Sequence, residues 1–428
     1  MKAYINLINE TDIDSIYMLD NTNPDSEEEF MNVPNLKMPN NRYDNMDIER
    51  VCKNISRILD VKKDIDIKTF EGTLANYLLN ENLYKNQLVK MCYEYNNGGK
   101  NQCISDTVKF LNEWLYGTVY RDEFRKILSA TYACIDADNL DDEESIELQE
   151  LNSLLPYIPR TNERPYHPSQ KTFDKFSEKC ELFLADIMKC IPKKNTYTIY
   201  DVWDIINDVF TDGLKEYSWE VRIGFISNRS RPDFQNRIIY LPQKSEKDKY
   251  NYADVRGIIA REIGVHVLRS LPYQNCQIRN MSLGMPENID FEVGLANAVE
   301  QAIRHKYEPF GYIHYLSLGL GMFYGYDFRR VYEIQWRLQK LARKADKQQC
   351  FDSVQRAFSG TGELLHLKDA TCYNGSNFVW KYITKNINSD TLFDDLFLSG
   401  KICCSDRYWS KVAYELKTGW RYSSYTYE

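Results

Sequence analysis

No run of about 18 apolar residues interrupts this 428-residue chain, so no membrane-spanning helix is expected. Its start, Met1-Lys2-Ala3-Tyr4, leads into no apolar stretch of the kind a secretory signal requires. The chain also lacks any C-x-x-C pair. Its 11 cysteines are odd in number and irregularly spaced, with Cys403-Cys404 the one close pair. That pattern argues against a disulfide framework and for reduced thiols in an intracellular compartment. Positive charge is short as well: 54 Lys and Arg stand against 62 Asp and Glu, for a net charge of -8. Generic binding to nucleic acid or to an anionic membrane needs clustered positive charge, and this balance argues against both. No internal repeat is apparent.

What is there is ordinary globular composition, 43% hydrophobic and 27% charged. The length suffices for one large core plus a smaller domain. Tyrosine is abundant, at 32 residues, and its apolar body with a polar tip suits contact surfaces. Residues 1–45 are rich in Asn, Asp, Glu and Pro, as in Asn21-Thr22-Asn23-Pro24-Asp25 and Pro39-Asn40-Asn41. They show no sustained helical period, and the expectation is an extended or disordered arm. Residues 46–155 read as helical: Ile48, Val51, Ile55 and Ile58 recur at helical spacing, as do Val108, Leu111 and Leu115. The acidic run Asp141-Asp142-Glu143-Glu144 reads as the start of another helix with a solvated face. Pro156, Pro159, Pro165 and Pro168 then break the chain, and a domain over 156–428 is expected to follow. Within it, 219–226 and 237–241 look like strands, 252–271 reads as a long helix, and helices continue after 292.

The long helix carries Arg261-Glu262-Ile263-Gly264-Val265-His266. A zinc peptidase needs three protein ligands, an open position for water and a carboxylate base. In H-E-x-x-H the two His lie four residues apart and share a helix face. Here positions 261 and 266 are five apart, which turns one side chain about 140° from the other on an ideal α-helix. One metal is reachable from both only if the helix widens, as at a π-bulge. Gly264 inside that turn eases such a distortion. Arg261, moreover, has no lone pair to give a metal.

Taken with its surroundings, the stretch resembles the microtubule-associated tyrosine carboxypeptidase family. That family carries H-E-I-G-T/V-H followed by V-L-R, and later E-E-G-L-A. This chain has Arg261-Glu262-Ile263-Gly264-Val265-His266-Val267-Leu268-Arg269 and then Phe291-Glu292-Val293-Gly294-Leu295-Ala296. Leu115-Tyr116-Gly117 is similar to an upstream L-Y-G. Lys368-Asp369 with Tyr373 and Gly375 is similar to K-D-x-x-Y-x-x-G. Ser399-Gly400-Lys401-Ile402 is similar to a late G-K-I/V element. The matches run in order over about 110–420. The resemblance implies a mainly helical α+β fold, a zincin-like metallopeptidase domain with a small antiparallel sheet ahead of the motif helix. It implies Glu262 as catalytic base, His266 and Glu292 as metal ligands, and Lys368 and Tyr373 as substrate-binding residues. It implies tubulin or microtubules as partner and a cytoplasmic, cytoskeletal setting, cilium or flagellum included.

Departures cut across that carry-over. Arg261 stands at the first ligand position, Val293 at the second Glu of E-E-G-L-A, Cys372 at the family's Tyr, and Ser359 where R-G is common. Which Glu of the E-E pair is the ligand stays open. Two readings follow: a catalytically impaired peptidase-like protein that binds tubulin or microtubules and takes no cofactor, or an active zinc carboxypeptidase with a rebuilt site. A scaffold unrelated to tubulin is a third. Buried carboxylates without a metal need another cation. Arg261 pairing with Glu262 or, better placed, with Glu292 would supply one; otherwise it turns to solvent or pairs elsewhere. Among the remaining histidines, His167, His305, His314 and His366, the last is the most interesting replacement ligand. A basic surface for an acidic tail would draw on Lys193, Lys194, Arg229, Arg231 and Arg237.

Overall fold

A computed structural model describes residues 2–159, 161–224, 230–243, 249–274, 280–286 and 288–403. They divide into two units, one formed by Met1–Tyr166 with Pro309–Tyr373 and one by His167–Glu308 with the chain from Asn374 onward. The first unit is thus closed by a segment that returns after residue 308, where a single boundary near 155 is the expectation from the proline cluster.

The first unit begins with helices α1 (Lys2–Thr11), α2 (Ser15–Leu19) and α3 (Ser26–Asn32), where the sequence suggests an arm. The physical reason is twofold. Asp14 caps α2 by accepting from the Tyr17 N–H. The sparse apolar residues of the segment also find partners far along the chain. Phe30 is fully buried against Phe328, Tyr332 and Phe351, with the Arg329 guanidinium 3.4 Å from its ring centroid. The Ser359 hydroxyl donates to the Leu19 carbonyl at 2.8 Å. Next come α4 (Ile48–Lys62), α5 (Phe70–Asn96), α6 (Gln102–Tyr116), α7 (Arg121–Tyr132) and α8 (Asp142–Leu154). Buried asparagines on α5 satisfy the end of α1: Asn82 donates to Ile8 O and Asn86 to Thr11 O.

The second unit runs through α9 (Gln170–Phe183), α10 (Ala185–Lys189) and α11 (Ile199–Asp208) into strands β1 (Glu220–Gly224), β2 (Arg231–Asp233) and β3 (Ile238–Pro242). The sheet order is β1-β3-β2. β1 pairs parallel with β3, and β2 pairs antiparallel with β3. The expected antiparallel sheet is therefore corrected to a mixed one. The turn-rich stretch between the two legible strands contributes the short β2 and takes the antiparallel place beside β3. Phe225 and Ile226 of the expected strand lie outside the described residues. The buried pattern of β3, with Ile238, Ile239 and Leu241 all inside, marks it as the central strand.

Helix α12 (Tyr252–Arg261) leads into a π turn, Glu262–Val267, then α13 (Leu268–Ser270), α14 (Asn280–Leu283) and α15 (Ile289–Arg304). The chain then re-enters the first unit through α16 (Tyr312–Tyr324), α17 (Phe328–Leu341) and α18 (Lys347–Ala357), and α19 (Ala370–Asn386) follows. Among the described residues the protein is mainly helical, its one sheet is small, and no helix is long and apolar enough to cross a membrane. The described cysteines are free thiols.

Candidate functional site

A widened turn stands at the place where one metal shared by 261 and 266 would need it. Glu262–Val267 is a π-helical turn with every residue buried, and i→i+5 bonding brings positions five apart toward one side. Gly264 lets Leu184 approach: a Cβ there would meet its side chain at 3.0 Å. α12 and the π turn pack on α15, which carries Glu292 near its start.

Glu292 is the centre of the arrangement. It is buried, and both of its oxygens are taken. Oε1 accepts from the Lys401 ammonium at 2.6 Å and lies 2.7 Å from His266 Nδ1. Oε2 accepts from Arg269 Nη1. Burial alone would raise this carboxyl, but Lys401 and Arg269, followed by the His266 hydrogen bond, hold it well below the usual carboxylate range. Lys401 is pushed down to about 8 by burial and by the like charge of Arg269, against the pull of Glu292 and Glu262.

Arg269 and Lys401 reach this point for traceable reasons. Arg269 is fully buried, its Nη2 donates to Gly400 O at 2.6 Å and Ile402 O at 2.8 Å, and its guanidinium lies 4.8 Å from the Phe291 ring centroid. The Lys401 N–H donates to Met281 O and its carbonyl accepts from the Met285 N–H. Gly400 adopts φ 75°, where a Cβ would stand 2.6 Å from the Tyr273 ring. The segment is thereby fixed with Lys401 turned inward over Phe234, 3.4 Å from the ring centroid.

Arg261 does something else. Its Nη1 donates to Glu300 Oε2 at 3.2 Å, and its Nε lies 3.6 Å from Glu262 Oε1. Glu300 also meets Arg304, which pairs with Asp254 at 2.9 Å. The result is a row of alternating charges along α12 and α15. Of the two partners weighed for Arg261, Glu262 is within ion-pair range, while Glu292 is bonded by Arg269, Lys401 and His266. Glu262 is 2% exposed, and its Oε2 has no hydrogen-bond partner among the described residues.

The donor set does not fit a three-ligand zinc site. His266 and Glu292 are two donors, and the guanidinium at 261 is not a third. Among the described residues no group of three His, Cys, Asp or Glu side chains is arranged to hold a metal ion. His366 belongs to the first unit, where it is buried with its ring 5.2 Å from Tyr116. His305 caps α15 and pairs with Glu181 at 3.0 Å, and the His167 ring lies tilted against Tyr307 at 4.1 Å between centroids.

The expected substrate-binding pair also lies in the first unit. Lys368 approaches Asp369 at 3.5 Å, and Asp369 is held by a fork of bonds from Arg356 at 2.5 and 2.6 Å. Tyr373 is a core residue: it is buried against Tyr315, and its hydroxyl donates to Glu123 at 2.5 Å. Of the proposed basic surface, Lys194 sits on Asp201 and Arg237 on the Tyr217 carbonyl; Arg229 lies outside the described residues. Sequence reasoning quoted Arg269 and Lys401 as landmarks without giving them a task. An arginine directly after Val265-His266-Val267-Leu268 on a buried helix is itself a signal, because such a residue is buried only with partners.

No protein-family model matches the chain, and no curated protein matches it.

Proposed function

We propose that this chain is a peptidase-like protein of zincin-like architecture that no longer hydrolyses peptides and serves as a binding protein, with tubulin or microtubules as its partner. One observation carries the reading: the first ligand position is a guanidinium built into an inter-helix ion pair with Glu300. A zinc-bound water needs a third donor to hold the ion and an ionised base to take its proton. The chain keeps Glu262 and His266 but supplies a cation where that donor belongs. Arg269 and Lys401 fall in stretches that resemble those of active members, so they do not separate active from inactive; position 261 does. The tubulin assignment draws on the ordered resemblance over about 110–420, and the zincin-like assignment on the same stretch together with the π turn ahead of Glu292.

Zinc analysis of the purified protein, run beside a tubulin detyrosination assay, tests the first half. The expected result is far less than one zinc per chain and no tyrosine released. One zinc per chain with release of tyrosine overturns it. Co-sedimentation with microtubules, before and after removal of the tubulin tails, tests the partner: pelleting that falls on tail removal is expected, and no pelleting in either case rejects tubulin.

A further inference from the structure

α7 opens with Arg121 and, one turn on, Arg125, so the two lie on one side of the helix, about 6 Å apart at Cβ. Both are exposed. Other arginines of the first unit are answered: Arg330 donates to the Leu154 carbonyl, Arg337 pairs with Glu333 and Glu150, and Arg356 pairs with Asp369. Among the described residues, Arg121 and Arg125 meet no carboxylate and no carbonyl. What Arg121 meets is a ring, its guanidinium standing 4.9 Å from the Phe323 centroid. The acids of the same stretch are engaged elsewhere, Glu123 with Lys126 and the Tyr373 hydroxyl, and Glu163 with Lys126. Asp122, three residues before Arg125, forms no ion pair with it.

Aromatic side chains stand around the pair. Burial, then Tyr326 and Tyr157, raise the Tyr324 hydroxyl above its ordinary range, while Arg125 and Arg121 pull it down, so these groups share one neighbourhood. The Tyr324 and Tyr326 rings stack with centroids 5.4 Å apart. Arg330 covers Tyr326 at 3.9 Å, and the Tyr324 hydroxyl donates to the Tyr157 carbonyl at 3.4 Å. The cluster is open to solvent: Tyr157 is 61% exposed, and Phe323, Tyr324 and Tyr326 are partly exposed.

Tyrosine and arginine carry much of the binding energy at protein interfaces, because each combines a broad contact area with a polar end. Two guanidinium groups without counter-ions, beside open rings, are complementary to carboxylates brought from outside the chain. We propose that Arg121 and Arg125, with Tyr157, Tyr324 and Tyr326 beside them, form a docking surface for an extended acidic segment of a partner polypeptide. In an extended segment, alternate residues lie on one side about 6.5–7 Å apart. That is close to the arginine spacing, so carboxylates two residues apart reach both guanidinium groups. An aromatic residue of the segment then lies over Tyr324 and Tyr326. A single nucleic-acid strand would also stack on such rings, but the chain's net charge of -8 disfavours it. The surface shares no residue with the Glu292 cluster, and it stands whether or not the partner is tubulin, because a synthetic peptide tests it.

The test measures, by fluorescence anisotropy at low salt, binding of the full chain to a fluorescein-labelled peptide of alternating Glu and Gly that ends in Tyr. A counterpart peptide carries Gln in place of every Glu. Wild type is expected to bind the acidic peptide about tenfold more tightly than the counterpart. Arg121→Gln/Arg125→Gln is expected to lose about tenfold in affinity for the acidic peptide, the contribution of two exposed charge contacts. Tyr157→Ser is expected to lose a smaller factor, about threefold. The control, Arg42→Gln/Arg57→Gln, makes the same charge change at solvent-facing arginines of the same unit that already have acid partners, and it binds as wild type does. The proposal is overturned by equal affinity for the two peptides, by no loss in Arg121→Gln/Arg125→Gln, by an equal loss in the control, or by single-stranded RNA displacing the peptide at equal concentration.

Discussion

The carboxylate of Glu292 and the carboxylates of α8 meet the same kinds of partner, arginine and lysine, in opposite surroundings. Glu292 is buried and shares its two oxygens among Arg269, Lys401 and His266. The acids of α8 are set less deeply: Glu143 is 80% exposed on Lys340, while Glu147 lies between Arg337 and Lys340, and Arg337 also bonds Glu150 and Glu333. Burial changes what pairing means. Inside, each ion has given up its hydration, so every member depends on the rest and removing one leaves charge uncompensated. Outside, water competes for each ion, so a pair contributes little and dissolves in salt. The inner cluster therefore acts as a structural joint of the second unit, and the outer row is the one that solvent and salt reach in part.

The sharpest way to break that comparison is Arg269→Met. It removes a fully buried guanidinium that bonds Glu292 and two backbone carbonyls, and it is expected to cost about 3–5 kcal/mol. Urea unfolding read by circular dichroism checks this; a loss under 1 kcal/mol would make the cluster no stronger than a surface pair.

The pH dependence comes next. Lys401 is depressed to about 8 in the folded chain from an ordinary 10.5, so between those values the unfolded chain holds the extra proton. Stability from this group therefore rises with pH across about 8 to 10.5, by up to about 3 kcal/mol. Lys401→Met abolishes that rise. Glu292 runs the other way at the acid end. Its folded value is held far below the ordinary 4.5, so its contribution is present above that range and is lost as pH falls through the folded value. Denaturation midpoints from pH 3 to 10.5 report both limbs. A flat alkaline limb in wild type would show that Lys401 is not under strain from burial.

The smallest effect belongs to the surface. Lys340→Gln is expected to cost less than about 1 kcal/mol at low salt and nothing measurable at about 0.5 M salt. A cost that persists in salt would place the α8 contact with the buried cluster and close the distance between the two regions.

Much of the local structure was legible. The helices over 46–155 and the two longer strands follow from apolar spacing, and a π turn stands at Glu262–Val267, where a metal reached from both 261 and 266 would need a widened helix. Strand pairing was not legible. Spacing shows that β1 and β3 are strands, but the parallel pairing depends on the path of the chain between them. The helices of residues 1–32 escaped because Phe30 and Leu19 are covered by residues about 300 positions later, and no local window contains both. At the site, Glu262, His266 and Glu292 were named and the last two are in contact. Tyr373 was given a substrate role; in the structure it is buried and its hydroxyl donates to Glu123.

The sequence by itself determined the chemistry at position 261, because a guanidinium has no lone pair for a metal in any fold. It also determined the helical character of most of the chain, since periodic apolar residues stabilise a helix wherever that face is covered. Only the tertiary structure decided which cations answer Glu292. Arg269 and Lys401 are 132 positions apart in the numbering, and they converge because the 400–402 backbone is pinned to Arg269, Met281 and Met285. Which buried charge neutralises which is a matter of a few ångströms of approach through a medium of low dielectric, and that distance exists only once the chain has folded.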